Sequence, residues 1–549
     1  MTTPELSCVR LKSDAEAAIS TDREIRHDAA ARGQEKDDMA IVQTLDKISN
    51  GRRVLAIKSP VTLEDLGEFE VATKADVQAA VARARAAQPA WAALGAKERA
   101  GFMWKLRDQF VDRADEIVDV ICKETGKTAQ EALMMEAFAP CDAITYWAKH
   151  AKKILADRRQ GMHLLGPMKK MKFVYRPLGV VGIITPWNGP MALATNPVVQ
   201  ALLAGNAVLL KPSEIAPLSG QLLGNMMETI GLPENVFQVL HGDGETGGAL
   251  LEAGVDKISF TGSVATGRKV GEICGRNLTP CTLELGGKDP AIICSDANLE
   301  RAARGTVFGA YFNTGQVCMS LERVYVMDDV ADEFIAKCVE HTKSLRVGDP
   351  KTCDVGAIFM ERQLEIIESH VEDARAKGAT IHTGGKRAEG LKGLFYEPTV
   401  ISDLTPDMKV LTDETFGPVL PIVRVQSEEE AIELANKSDY GLTASVWTKD
   451  KVRGEALARR IDAGSVAIND HSITYGVLEA PFGGVKNSGV GRVNGKEALR
   501  SYCYEQPIIS DRWGRDTESQ WYPFLPADFD GMKKAMKVLY KTPIGRWMA

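Results

Sequence analysis

Four short apolar runs near the middle of the chain limit what it can fold into more than any other feature. They are "LGVVGIIT" from Leu178, "NAVLLK" from Asn206, "NVFQVL" from Asn235 and "DKISFTG" from Asp256, with starts 28, 29 and 21 residues apart. Runs of this length, rich in Val, Ile and Leu and bounded by Gly, Pro or Asn, read as strands covered on both faces. A helix-like stretch fills each gap. Strand and helix alternating at that interval build repeated βαβ units, hence a parallel sheet with helices on both faces. Sheets of this kind take their ligands at the carboxyl ends of the strands. Three polar clusters fall at those ends: "TPWNGP" (185–190), "KPSE" (211–214) and "FTGSVATG" (260–267).

The flanks extend the pattern. Residues 1–50 are polar, charged and poor in aromatics, and read as a peripheral extension. "ADVQAAVARARAAQPAWAAL" reads as a helix interrupted at Pro89, and "AKERAGFMWKLRDQFVDRADEIVDVICKETGK" continues with apolar residues at helical spacing. Beyond the central sheet a second α/β segment is predicted from "PAIIC", a helix through "LERAARGTVFGAYF", a strand "ERVYVM" and a helix "VADEFIAKCVEHTKSL". It runs to the Gly-rich "PFGGVKNSGVGR" (481–492), and the tail after about 512 stands apart. A chain of 549 residues is long enough for two or three domains.

Charge and cysteine usage exclude several functions. The net charge is 67 − 74 = −7, so no general basic field invites nucleic acid. No apolar run is long enough to span a bilayer, and the N-terminus has no secretory pattern, so a cytoplasmic location is expected. Ten cysteines form no C-x-x-C pair, and eight histidines show no ligand spacing, so neither zinc nor disulfides are expected.

Local chemistry leaves alternatives open. "GDGETG" (242–247) matches G-x-G-x-x-G but equally suits a plain βα turn. In "FTGSVATG", Gly262 and Ser263 would offer backbone N–H groups at a helix start, a natural pyrophosphate site, or Ser263 simply caps the helix. Lys211 and Glu214 would grip ribose hydroxyls, or form a solvated pair. Glu284 in "LELGGK" sits among apolar residues, where a desolvated carboxylate suits general-base work; an edge-strand Glu facing water is the other reading. Cys318, after Gly315 and Gln316 in "YFNTGQVCMS", stands near an expected helix start that would favour its thiolate.

Taken in order, "TPWNGP", "KPSE", "FTGS…G", "LELGGK", "FNTGQVC", "ETFGP" and "PFGGVKNSGVGR" resemble the NAD(P)-dependent aldehyde dehydrogenase superfamily over roughly residues 55 to 510, with Glu284 and Cys318 separated by 34 positions. The resemblance implies a Rossmann-like parallel-sheet cofactor domain (51–155 and 178–286), an α/β catalytic domain (287–490) and a small β oligomerisation element (156–177 and 491–512), with terminal extensions 1–50 and 513–549. It implies Cys318 as nucleophile, Glu284 as the base that activates water, and Asn188 with the Cys318 N–H as the oxyanion donors. It places Thr185, Trp187, Lys211, Ser213, Glu214, Gly262, Ser263 and Leu285 along the adenosine and pyrophosphate side, and Glu414 and Phe416 on the nicotinamide half. NAD is the expected cofactor because Glu214 would repel a 2′-phosphate, with NADP as the alternative. The family does not use a G-x-G-x-x-G loop for the pyrophosphate, which favours the plain-turn reading of "GDGETG".

The expected reaction is oxidation of an aldehyde to a carboxylic acid through a cysteine thiohemiacetal and thioester. Relatives that pass the acyl group to coenzyme A lack the Glu of this motif; that reaction, and more remotely a thiol hydrolase or acyltransferase using His341 or His471, are the alternatives. Phe312, Val317 and Met319 flank the nucleophile, Leu193 follows Asn188, and Gly189 stands where many relatives carry an aromatic residue. With no Arg beside Cys318, the expected substrate is an apolar aliphatic or aromatic aldehyde. The strand "LRSYCYEQPII" resembles the family's terminal oligomerisation segment, so a homodimer or dimer of dimers is expected. After Asp530 the tail has five basic and no acidic residues, and 525–549 reads either as packing on a neighbouring subunit or as an interfacial membrane helix.

Overall fold

The computed structural model describes residues 47–49, 51–163, 168–518 and 521–543. All four predicted strands form, as Val180–Ile184, Ala207–Lys211, Phe237–Val239 and Lys257–Thr261. They belong to a six-stranded sheet in the order Gly489–Val490, Cys281–Glu284, Lys257–Thr261, Val180–Ile184, Ala207–Lys211, Phe237–Val239. The pairs are parallel except for Gly489–Val490, which runs antiparallel to Cys281–Glu284. The chain enters this sheet at Val180–Ile184, builds outward through two strands, then returns to add Lys257–Thr261 on the other side. The reversal leaves a crevice at the carboxyl ends of those two neighbours.

Alternation explains why the strands look apolar throughout. Val181, Ile183, Val208 and Leu210 join one core with the helices Ala96–Asp112, Ala139–Ile154 and Ala192–Leu203, whereas Val180, Ile184, Ala207 and Leu209 join another with Lys74–Ala93 and Gly244–Glu252. Helix Lys74–Ala93 continues through Pro89, contrary to the interruption expected from sequence. Tertiary contacts on either side hold it: Gln88 Nε2 donates to Gly205 O at 2.9 Å, and the buried Trp91 Nε1 to Leu202 O at 3.0 Å.

A seven-stranded sheet follows in the order Thr380–Thr383, Thr399–Ser402, Val419–Val425, Leu321–Met327, Asp289–Ile293, Thr443–Trp447, Ser465–Ile468. Its first pair is antiparallel and the others parallel. The predicted helices Leu299–Tyr311 and Asp328–Lys343 pack on one face. Two small antiparallel sheets complete the fold. Lys169–Pro177 pairs with Arg158–Gln160 and, over nine positions, with Cys503–Asp511. Arg52–Lys58 pairs with Lys47–Ser49 and Asp65–Glu70. The rest of the N-terminal extension and the last six residues lie outside the described residues. Among the described residues no helix is long and apolar enough to cross a membrane.

Candidate active site

Four residues, Leu285 to Lys288, carry the chain from the last parallel strand of the first sheet into the first strand of the second, and the site forms around this link. It admits no side chain at its centre. A Cβ on Gly286 would collide with the Glu414 carboxylate, and one on Gly287 with the Cys318 carbonyl. Gly287 N–H donates to Glu414 Oε1 at 3.0 Å. Lys288 is buried and pairs with Glu322 at 2.5 Å. The Glu322 carboxylate also accepts from Thr415 N at 2.7 Å and Phe416 N at 2.9 Å, which fixes the "DETFGP" turn.

Cys318 lies on the loop between helix Leu299–Tyr311 and strand Leu321–Met327, not at the helix start expected from sequence. Asn313, Thr314 and Gly315 precede it with φ of 53°, 57° and 71°, three left-handed residues in succession. Such backbone persists only when its surroundings hold it. Here Asn313 N–H donates to Glu131 Oε1 at 2.7 Å, Gln316 Oε1 accepts from Phe359 N at 2.8 Å, and a Cβ on Gly315 would strike the Gly417 carbonyl. Without a helix dipole to favour the anion, burial pushes the Cys318 thiol well above its ordinary range, and the carboxylates of Asp289, Glu284 and Glu414 push it further; a hydrogen bond from Met319 N–H opposes them.

Glu284 ends its strand between Lys257–Thr261 and Gly489–Val490, so it is not on a sheet edge and does not face water. It is 6% exposed, and neither carboxylate oxygen has a hydrogen-bond partner. Burial holds its carboxyl well above the usual range, opposed by Arg492. Burial, then Glu322, also pushes Glu414 up, to about 8.

Asn188 is tied to the Cys318 loop. Its Nδ2 donates to Gln316 O at 2.9 Å, which leaves its second N–H free to point elsewhere. Its backbone carbonyl accepts from Asn313 Nδ2 at 3.0 Å and from Lys127 Nζ at 2.8 Å. Lys127 also forms a fully buried ion pair with Glu136 at 2.8 Å. The other Glu136 oxygen takes the N–H groups of Met191 and Ala192 at 3.0 and 2.9 Å, so one buried pair holds both Asn188 and the following helix.

The residues expected to meet a dinucleotide are more mixed. Thr185 N–H donates to Lys211 O at 3.1 Å, and Lys211 Nζ pairs with Glu214 at 3.0 Å, with Ser213 buried between them. Trp187 lies edge-on to Phe416, 5.4 Å between centroids. Leu285 fills the space beside Gly267. Gly262 does not present a free amide: its N–H continues the sheet ladder to Glu284 O at 3.0 Å. Ser263 caps helix Val264–Asn277 by accepting from Thr266 N at 3.2 Å. Any anion at this helix start therefore meets Ser263 and the turn after it rather than Gly262. "GDGETG" is a plain βα turn on the far edge strand, where Asp243 caps helix Gly244–Glu252 and pairs with Arg53.

Val317 and Met319 are buried with Leu442, Phe482 and Val493, and Phe312, Cys318 and Tyr475 pack against them. A Cβ at Gly189 would press on the Met135 methyl and the Leu193 side chain, so a larger residue there needs those side chains to shift. The histidines weighed as bases are engaged elsewhere: His471 Nε2 meets Met319 O at 3.0 Å, and His341 lies 3.2 Å from Glu300. Sequence reading missed Lys127, Glu131, Glu136, Asn313, Gln316 and the Lys288–Glu322 pair. One signal was available: Glu322 and Arg323 stand inside a strand that is otherwise apolar and buried throughout.

Comparison with known proteins agrees with this geometry. Residues 48–508 match the aldehyde dehydrogenase family. The chain is 38% identical over 490 residues to 4,4'-diapolycopene aldehyde oxidase of Methylomonas sp, covering 88% of this chain and 91% of that protein. It is 40% identical over 481 residues to a Mycolicibacterium smegmatis protein named as a candidate NADP(+) succinate-semialdehyde dehydrogenase, covering 86% and 92%. The solved structure of a Mycobacterium tuberculosis aldehyde dehydrogenase complexed with NAD+ superposes with a TM-score of 0.80 at 35% identity, covering 86% of this chain and 99% of that one. This chain therefore belongs to the aldehyde dehydrogenase family, and it is an NAD(P)-dependent oxidoreductase that converts an aldehyde to a carboxylic acid.

Proposed function

We propose that Cys318 is the nucleophile, Asn188 the oxyanion donor and Glu284 the base for water. The observation that carries this reading is the buried Glu284 carboxylate with both oxygens unpartnered, close enough to raise the Cys318 thiol. An unsatisfied buried acid is costly unless something binds to it, and a water awaiting deprotonation is such a partner. Cys318 gives up its thiol proton to water, and the thiolate sulfur adds to the aldehyde carbon as the C=O π bond opens. The oxygen that gains charge is held by the free N–H of Asn188 Nδ2 and the Cys318 backbone N–H. The bound dinucleotide supplies the acceptor for the hydride that leaves the substrate carbon. Cys318 then holds the acyl group as a thioester, Glu284 takes a proton from water, the hydroxide adds to the thioester carbon, and the C–S bond breaks to return the Cys318 sulfur and release the acid.

The residues present fit the dinucleotide. Thr185 Oγ1 is buried without a partner, Lys211 and Glu214 form a pair suited to ribose hydroxyls, Glu414 is held beside the Gly286–Gly287 link, and Phe416 N–H is held by Glu322. Glu214 favours NAD over NADP by repelling a 2′-phosphate.

The substrate is an uncharged, apolar aldehyde. Val317, Met319 and Phe312 belong to the apolar cluster around Cys318, and the titratable groups acting on that thiol are the acids Asp289, Glu284 and Glu414 rather than a cation that would hold a substrate carboxylate. The relative named for a diapolycopene aldehyde agrees with this, whereas the relative named for succinate semialdehyde suggests an anionic substrate. Mixing enzyme, NAD+ and an aldehyde panel while following reduced nicotinamide decides the matter. Nonanal and benzaldehyde should exceed succinic semialdehyde in kcat/KM; the reverse order overturns the substrate assignment, and no signal with any aldehyde and either dinucleotide overturns the site. Copies would join through strand Cys503–Asp511, an edge with Ile508 and Ile509 exposed, to give a homodimer or dimer of dimers.

A further inference from the structure

Helix Pro526–Lys541 has no buried residue. Its Phe529, Met532, Met536 and Tyr540 recur at helical spacing on one stripe, and Met532 and Met536 are 59% and 57% exposed. Trp521, Tyr522 and Phe524, just before the helix, are exposed as well. Lys533, Lys537 and Lys541 run along the flank of the stripe, with Lys534 beyond them. None of these lysines forms an ion pair among the described residues, and Lys533 stands 5.2 Å over the Phe529 ring. From Gly531 to the end there are five basic and no acidic residues, in a chain of net charge −7.

We propose that this helix lies flat on an anionic membrane surface. The apolar stripe would enter the boundary between headgroups and acyl chains, which removes from water the side chains the fold leaves exposed. The lysines keep their stems along the apolar layer and place their ammonium groups among lipid phosphates. Trp521 and Tyr522 sit at the end of the helix where such rings favour the headgroup region. Asp528 and Asp530 stand in the first turns of the helix, and the four lysines that follow them give the exposed stripe a positive flank that matches an anionic surface. A second copy of the chain is the less suitable cover, because the open edge of Cys503–Asp511 already offers a separate contact between copies.

The test is co-sedimentation of the full chain with phosphatidylglycerol and phosphatidylcholine vesicles. Wild type should bind the anionic vesicles, with binding that weakens as salt is raised. Met532→Glu/Met536→Glu should lower the bound fraction by roughly tenfold or more, and Lys534→Glu/Lys537→Glu should remove the preference for anionic lipid. Turnover of a water-soluble aldehyde should be unchanged in both variants. Wild type that stays in the supernatant, or a methionine variant that binds as well as wild type, overturns the proposal. So does a methionine variant whose oligomer dissociates in sedimentation velocity while wild type shows no lipid binding, which would make the helix a subunit contact.

Discussion

Glu284→Gln separates two consequences of burying one carboxyl. Both oxygens of Glu284 lack partners, and burial lifts the group well above its ordinary 4.5, with Arg492 opposing. The folded chain therefore holds this proton more tightly than the unfolded chain. For an acid raised on folding, the native state binds more protons, so stability falls as pH climbs from the unfolded value toward the folded one. Within that window each pH unit costs about 1.4 kcal/mol relative to a side chain that cannot ionise. Gln has the same shape and stays neutral. The denaturant midpoints of the two proteins should thus converge near pH 4.5, and above it the variant should gain on wild type at that slope until the folded pKa is reached. Urea unfolding of both proteins from about pH 5 to about pH 8 measures the gap, with m compared to show that the same transition is followed. A gap that does not change with pH refutes the buried-acid reasoning. The same variant tests the chemistry. It should release one burst of reduced nicotinamide per active subunit and then turn over about 10²- to 10⁴-fold more slowly than wild type, the usual size of a lost general base. Steady-state turnover within about tenfold of wild type would remove Glu284 from the role of water base.

Three further outcomes follow from the same geometry. Because burial and three carboxylates hold Cys318 above its ordinary 9.0, its alkylation by iodoacetamide in enzyme free of dinucleotide should still be accelerating as pH passes 9, read by peptide mass spectrometry; a plateau below that contradicts the site's electrostatics. Lys127→Met strands the Glu136 carboxylate and releases the Asn188 carbonyl, so it should cost about 3–5 kcal/mol in unfolding and lower kcat more than it raises KM; Lys127→Met/Glu136→Gln should recover part of the stability but not the turnover. Gly315→Ala puts a Cβ against the Gly417 carbonyl at a φ of 71°, beside Phe416, so it should lower turnover and weaken NAD+ binding by titration calorimetry together; wild-type turnover in the variant contradicts this close approach.

The spacing of the apolar runs from Leu178 to Thr261 by itself determined the parallel sheet, because a strand covered on both faces has to be apolar along its length and parallel neighbours need a helix-sized connection. The order of short motifs was equally legible, and with it Asn188, Glu284 and Cys318 as the residues of interest. The environments of those residues were not. In sequence Glu284 reads equally as a strand residue facing water; in the fold Gly489–Val490 closes the sheet beside it, a pairing across about 200 positions that no local pattern records. Cys318 was expected at a helix start, yet it stands on a left-handed loop where carboxylates from both ends of the Leu285–Lys288 link and from the distant Glu414 raise its thiol. Gly262 has an amide suited to phosphate until the strand ladder takes it up. Lys127 and Glu136 were invisible because an isolated Lys or Glu in a helical stretch reads as a solvated face; only the fold buries both and sets them against the Asn188 backbone. Sequence determines which groups a chain carries and the period at which it can bury them, while solvation, pKa and hydrogen-bond partners depend on residues distant in the chain and are decided only when the fold brings those residues together.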